Sequence, residues 1–170
     1  MSAPFRLEPL NDRRDRDAFT CGHEALDRYF RTQATQDIRR RIATCFVAVE
    51  NASDRIAGFY TLAAASIPTN DLPADIIKKL PRYPTLPAVR IGRLAVDVNF
   101  QGRGLGAGLL ADALRRILVS PSAAFAMLVD AKDDNAVAFY ERYGFRTLVG
   151  HARTLYLPIA TAEKIFRDNN

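Results

Sequence analysis

Cysteine and histidine are scarce in this chain of 170 residues, and their scarcity removes several chemistries at once. Cys21 and Cys45 are the only cysteines, too few for a disulfide framework or a zinc site. Both read as small packed residues of a reducing cytoplasm. The two histidines, His23 and His151, lie far apart in sequence, so no histidine-centred metal site is expected and no metal is assigned. No apolar run approaches the roughly 18–20 residues that span a bilayer, which excludes a membrane helix. The opening Met1-Ser-Ala-Pro-Phe-Arg has no apolar core of a secretory signal, so a cytoplasmic location is expected. Nowhere does a Lys-Ser/Thr pair complete a G-x-x-x-x-G-K-[ST] loop, which excludes a Walker-type nucleotide site.

What the chain does contain is enough apolar material, 48% of residues, for one ordinary core, and a single domain over 1–170 is expected. The formal net charge is +5 and the isoelectric point about 9.5. Basic residues cluster at Arg39-Arg40-Arg41, at Lys78-Lys79 with Arg82, Arg90 and Arg93, and at Arg115-Arg116. Such a balance suits a polyanionic ligand, because phosphate contacts release counterions. It equally suits a solvated arginine-rich surface, so charge alone names no partner.

Hydrophobic spacing orders the elements. Phe5–Leu10 reads as a short strand. A helix over Glu24–Arg41 places Leu26, Tyr29, Phe30, Ala34 and Ile38 on one face. Ala43–Glu50 and Arg55–Ile67 flank the turn residues Asn51–Asp54 as a hairpin. Pro68 to Pro87 holds five of the nine prolines around a short helix, Ala74–Leu80. Prolines let so long an excursion keep a defined shape. A central strand is expected at Val89–Val98, a helix at Gly104–Val119 and a strand at Phe125–Asp130. A helix over Ala136–Tyr143 follows the capping candidates Asp133-Asp134-Asn135 and stops at Gly144. Strands at Phe145–Gly150 and Arg153–Pro158 and a helix at Thr161–Arg167 complete a mixed α/β layer.

The most specific signal lies between the central strand and its helix. Four of the nine glycines occupy every second position from Gly102 to Gly108. A glycine-rich turn at a helix start presents main-chain N–H groups and partial positive charge, which favour a pyrophosphate. Gly102-x-Gly104-x-x-Ala107 also fits the loose dinucleotide-binding fingerprint, with Asp130 placed for a ribose. That fingerprint opens a repeating parallel unit, however, and too little chain follows here to complete one.

Two further runs point elsewhere. Gln101-Gly-Arg-Gly-Leu-Gly106 resembles the Q/R-x-x-G-x-G/A turn of the Gcn5-related N-acetyltransferases, the GNAT superfamily. Asn135-Ala-Val-Ala-Phe-Tyr-Glu-Arg-Tyr-Gly-Phe145 is similar to their second signature, which follows in the expected order. The resemblance implies an α/β (α+β) GNAT fold, a mixed central sheet with a splayed strand pair and flanking helices, and acetyl-coenzyme A as co-substrate. It places the backbone of Leu94, Ala95 and Val96 along the pantetheine arm. Gln101, Arg103, Gly104, Gly106 and Ala107 belong to the pyrophosphate turn. Asn135 contacts the pantetheine, and Tyr140 lies near the thioester sulfur as general acid. Aromatic packing on an amphipathic helix is the plain alternative for Tyr140.

The family reaction, direct attack of an amine on the thioester, needs a neutral amine, a main-chain oxyanion donor near Val96 and a proton for the departing thiolate. A thiol near 8.5 and a tyrosine near 10 make that proton transfer uphill by about 2 kcal/mol, which nearby N–H or arginine groups would reduce. No glutamate or histidine stands out as a base. That fits an α-amine, near 7.7–8.0 and lower on an ester, better than a lysine near 10.4.

Cys21-Gly22 with Leu26-Asp-Arg-Tyr29, Gln33-Ala34 with Asp37, Asp71-Leu-Pro73 and Lys78-Lys-Leu-Pro-Arg-Tyr-Pro84 through Ile91-Gly-Arg-Leu-Ala-Val-Asp97 resemble one GNAT branch. It comprises the toxins of bacterial type II toxin–antitoxin pairs. The resemblance implies acetylation of the amino acid on charged tRNA, a homodimer, a ribbon–helix–helix antitoxin and blocked translation. Arg39, Arg40, Arg41, Lys78, Lys79, Arg82, Arg90 and Arg93 are then the candidate contacts to tRNA. The alternatives are a GNAT enzyme for another primary amine, such as a protein N-terminus or a small molecule, and a binding protein without activity.

Overall fold

The structure is a computed structural model describing residues 3–11 and 13–168; Met1 and Ser2 of the opening stretch lie outside the described residues. Strand β1 (Phe5–Pro9) is followed by a helical segment. α1 (Glu24–Arg28) leads into a wider π turn at Tyr29–Gln33 and then α2 (Ala34–Arg39). β2 (Thr44–Glu50) and β3 (Ile56–Pro68) form the hairpin, α3 (Ala74–Ile77) lies in the proline-rich excursion, and β4 (Thr85–Val96) is the central strand. Then come α4 (Leu105–Val119), β5 (Ala126–Asp130), α5 (Asp134–Arg142), β6 (Arg146–Leu148), β7 (His151–Pro158) and α6 (Ile159–Asp168).

The seven strands are ordered β1-β2-β3-β4-β5-β7-β6. β1 and β2 pair antiparallel, as do β2 and β3, β5 and β7, and β6 and β7. β4 and β5 are parallel, their ladder covering Ala88–Ile91 against Ala126–Val129. The sheet is therefore mixed, with α4 as the crossover a parallel pair requires.

The chain forms two compact units, residues 1–63 with 92–113, and residues 64–91 with 114–170. The first has an aromatic centre. Phe30 stacks on Phe59 at 4.3 Å between ring centroids, and Phe19 meets both edge-on. Val47, Val49, Ile56 and Ala95 complete that cluster. The second unit packs Ile67, Leu72, Leu86, Ala88, Ala126, Leu128, Leu148 and Tyr156, with Ile76, Ile77 and Leu80 against them.

Several boundaries differ from the sequence reading, each for a local reason. The helix expected over Glu24–Arg41 is interrupted by the π turn, whose poorer internal geometry is offset by contacts from outside it. The Tyr29 hydroxyl donates to Asp37 at 2.8 Å, and the Arg93 guanidinium lies 3.6 Å from the Tyr29 ring centroid. β4 begins at Thr85 rather than Val89. Pro87 is tolerated there because it supplies a carbonyl, accepting from Phe125 N at 2.8 Å, at an exposed position. β4 ends at Val96, two residues early, because Asp97 caps a short turn at Val98–Phe100. The helix expected to reach Leu80 is a single turn ending at Ile77. α5 begins two residues early, at Asp134, because Asp133 is its cap, accepting from Ala136 N at 2.8 Å.

Candidate active site

In the first unit, the glycine turn begins from a tightly held base. Asp97 is wholly buried, with one carboxylate oxygen accepting from Asn99 N at 2.8 Å and the other from Thr20 N at 3.1 Å. Gln101 directs its Nε2 donor to Val96 O at 3.0 Å and Cys21 O at 3.3 Å. The Gln101 side chain thus fastens the turn to the end of β4.

The next residues leave the backbone open. Gly102 and Gly104 have φ of 80° and 77°, a region where a Cβ costs roughly 1–2 kcal/mol. A Cβ added at Gly102, Gly104 or Gly108 would meet nothing within 4 Å. The return hydrogen bond runs from Gly108 N to Gly104 O at 3.1 Å. The amides of Leu105, Gly106 and Ala107 therefore lie ahead of the intrahelical ladder. The first turn of α4 carries no acidic side chain to compete for an anion. Open amides, a helix N-terminus and an uncontested field fit a pyrophosphate.

The other expected cofactor residues of this unit flank that turn. Ala95 is buried, while Leu94 and Val96 are half-buried at the end of β4. The Arg103 guanidinium lies 5.3 Å from the Phe100 ring centroid and 3.8 Å from Glu50.

In the second unit, Asn135 is exposed in the first turn of α5. Tyr140 lies further along, 5% exposed, with its ring edge-on to Phe139 and Phe145 at 5.2 and 5.3 Å. Its hydroxyl makes no hydrogen bond to another described residue and is not among the fully buried orphan atoms. Burial, and after it the charge of Asp130, push the Tyr140 hydroxyl above its ordinary value. The expectation that N–H or arginine groups would ease proton release is therefore reversed: burial and the Asp130 charge both hold the proton on.

The basic residues have different surroundings. Arg39, Arg40 and Arg41 are exposed at the end of α2, with Arg41 at φ 60° closing the helix. Lys78, Lys79 and Arg82 are exposed in the second unit. Arg90 is paired with Asp130, and Arg93 is half-buried on Tyr29. Asp97 and Thr20 received no role from sequence because their contact joins positions 77 residues apart. The signal available was a carboxylate directly after the apolar run of β4. Among the described residues, no group of three or more His, Cys, Asp or Glu could hold a metal ion, and no helix is long and apolar enough to cross a membrane.

Comparison with known proteins agrees with this arrangement. The Acetyltransferase (GNAT) domain family matches residues 17–154. A probable toxin TacT of Sinorhizobium fredii is 30% identical over 169 residues, covering 94% of this chain and 93% of that protein. A tRNA-acetylating toxin of Mycobacterium tuberculosis is 36% identical over 146 residues, covering 85% and 84%. Among solved structures, AtaT complexed with acetyl-methionyl-tRNAfMet superposes with a TM-score of 0.86 at 31% identity, over 95% of this chain and 99% of that one. A mutant AtaT toxin bound to the C-terminus of the antitoxin AtaR and acetyl-CoA gives 0.79 at 27% identity, over 96% and 99%. With the open turn, the ordered signatures and a family match over most of its length, this chain belongs to the GNAT acetyltransferase family.

Proposed function

We propose that this protein is a toxin that transfers an acetyl group from acetyl-CoA to the α-amino group of the amino acid on charged tRNA, and so blocks translation. The observation that carries the cofactor half is the open turn from Gly102 to Ala107 at an uncontested helix start. The acceptor half is supported by relatives named for tRNA acetylation over most of this chain.

In this reading the main-chain amides of Arg103, Gly104, Gly106 and Ala107 hold the pyrophosphate. Gln101 secures the turn, the edge of Leu94–Val96 and the Asn135 amide receive the pantetheine, and a main-chain N–H near Val96 faces the developing oxyanion. The amine nitrogen bonds to the acetyl carbon as the carbon–sulfur bond breaks. Tyr140 donates its proton to the leaving sulfur and recovers one from solvent, while the attacking nitrogen loses its extra proton to water. Since burial raises Tyr140, the phenol stays protonated until the sulfur departs, and its proton moves as the carbon–sulfur bond breaks.

The exposed Arg39, Arg40, Arg41, Lys78, Lys79 and Arg82 carry the proposed contacts to tRNA. For Arg90 and Arg93, a phosphate would have to compete with Asp130 and with the Tyr29 ring. The proposal includes a single catalytic domain, a homodimer, a cytoplasmic location and neutralisation by a ribbon–helix–helix antitoxin. Purified protein with labelled acetyl-CoA and total charged tRNA tests it. Label is expected on the amino acid α-nitrogen and absent from uncharged tRNA. Label passing to a peptide N-terminus or a small amine, with none on charged tRNA, would overturn the acceptor assignment.

A further inference from the structure

The loop Thr20–Gly22 is bonded on two sides, both within the first unit. On one side lies the base of the glycine turn. Thr20 N donates to the buried Asp97 at 3.1 Å, Val98 N donates to Thr20 O at 2.8 Å, and Gln101 Nε2 donates to Cys21 O at 3.3 Å. On the other side lies the helical segment. Asp27 accepts from Cys21 N and from the Thr20 hydroxyl, each at 2.9 Å, and the Arg31 guanidinium donates to Phe19 O. Asp97 and Asp27 are both buried, and each is satisfied by hydrogen bonds to this loop. A buried carboxylate is retained only where such bonds hold it, so both fix geometry tightly. Glycine is required at the end of the loop, where Gly22 has φ 91°.

We infer that this loop is a brace coupling the cofactor turn to the α1–α2 segment, with Asp97 and Thr20 as positioning residues for the acceptor. The inference rests on the reading that acetyl-CoA binds at the glycine turn. A ligand that orders Gly102–Ala107 also orders the base on which the turn stands. The brace passes that order to the helical segment ending at Arg39–Arg41. Acceptor binding then meets a segment whose conformational freedom has already been reduced, which is a coupling free energy between the two sites.

Two variants cut the brace on opposite sides. In Asp97→Asn an amide N–H₂ confronts the N–H of Thr20 or Asn99, which loosens the turn side. In Thr20→Val the hydroxyl bond to Asp27 is lost, which weakens the helical side, while the main-chain bonds to Asp97 and Val98, the Cys21 N bond to Asp27 and the Arg31 bond to Phe19 O remain. Hydrogen exchange of the full chain, with and without saturating coenzyme A, is the primary readout. In the wild type, coenzyme A is expected to slow exchange in 101–108 and also in 19–31. In Thr20→Val protection of 101–108 persists and that of 19–31 is reduced, whereas in Asp97→Asn, which also loosens the base of the turn, protection falls in both segments. In Thr20→Val the KM for charged tRNA rises about tenfold, while coenzyme A affinity stays within about threefold. Should Asp97→Asn fail to fold, Thr20→Val alone decides. Wild-type protection confined to 101–108, or protection of 19–31 unchanged in Thr20→Val, overturns the brace and leaves the cofactor reading standing. No protection anywhere in the wild type overturns the cofactor reading and the brace with it.

Discussion

Replacing Tyr140 with phenylalanine removes one oxygen atom and keeps the ring that Phe139 and Phe145 pack against. Because that hydroxyl has no hydrogen bond to a described residue, the expected change in folding free energy is under about 1 kcal/mol. The expected change in turnover is far larger. Loss of a positioned general acid costs about 10²- to 10⁴-fold, or roughly 3–5 kcal/mol of barrier. Single-turnover acetylation of charged tRNA, short enough to outrun ester hydrolysis, measures it beside a urea titration of the same preparation. The pH profile adds a second check. Burial raises the Tyr140 pKa, so the hydroxyl keeps its proton where free tyrosine near 10 would begin to lose it. The rate should climb as the α-ammonium deprotonates, at or below roughly 7.7–8.0, and then stay level to pH 10. Turnover within about threefold of wild type in Tyr140→Phe would refute the assignment. So would a falling limb centred near pH 9 that vanishes in the variant.

The glycines of the turn separate two effects. Gly104→Ala is expected to lose about 1–2 kcal/mol of stability and to weaken coenzyme A binding at least tenfold, because φ there is 77°. Gly108→Ala, within α4 with open space around it, should gain about 0.5–1 kcal/mol. Calorimetry with coenzyme A and thermal melts test both, and equal effects at the two positions would refute the distinction. Tyr156 is wholly buried with a hydroxyl that has no hydrogen-bond partner among the described residues, so Tyr156→Phe should be neutral or stabilising by about 1 kcal/mol; a clear loss of stability would count against this. Burial pushes the Cys45 thiol from 9.0 up to about 12. Its contribution is complete below pH 9 and is lost as pH rises towards 12, about 1.4 kcal/mol by pH 10. Urea midpoints between pH 8 and 10 should fall less steeply in Cys45→Ala, and an unchanged slope would refute the attribution.

The glycine turn and the α5 signature were legible because each is local. Glycines at every second position, followed by an apolar helix, specify a turn and a helix start whatever surrounds them. Asn135 and Tyr140 share one short element, and Gly144 lies two residues past its end. Alternating β formers gave the β2–β3 hairpin for the same reason. The π turn was not legible, since Tyr29 reads as any apolar-face residue until Asp37 and Arg93 are placed around it. Arg93 read as a surface cation, and its ring partner is 64 positions away (93 less 29). The Tyr140 pKa was read in the wrong direction because desolvation is a property of the packed surroundings and not of neighbours in the chain.

Composition and periodicity by themselves determined a mixed α/β chain with a glycine turn at a helix start, because those properties depend on backbone conformation within a few residues, and two motifs carried the resemblance to the GNAT family. Only the tertiary structure decided which polar groups are buried and what they hold. Asp97, Thr20 and Asp27 acquire a role when distant segments meet, since hydrogen bonds form by proximity in space and a linear sequence carries no record of that distance.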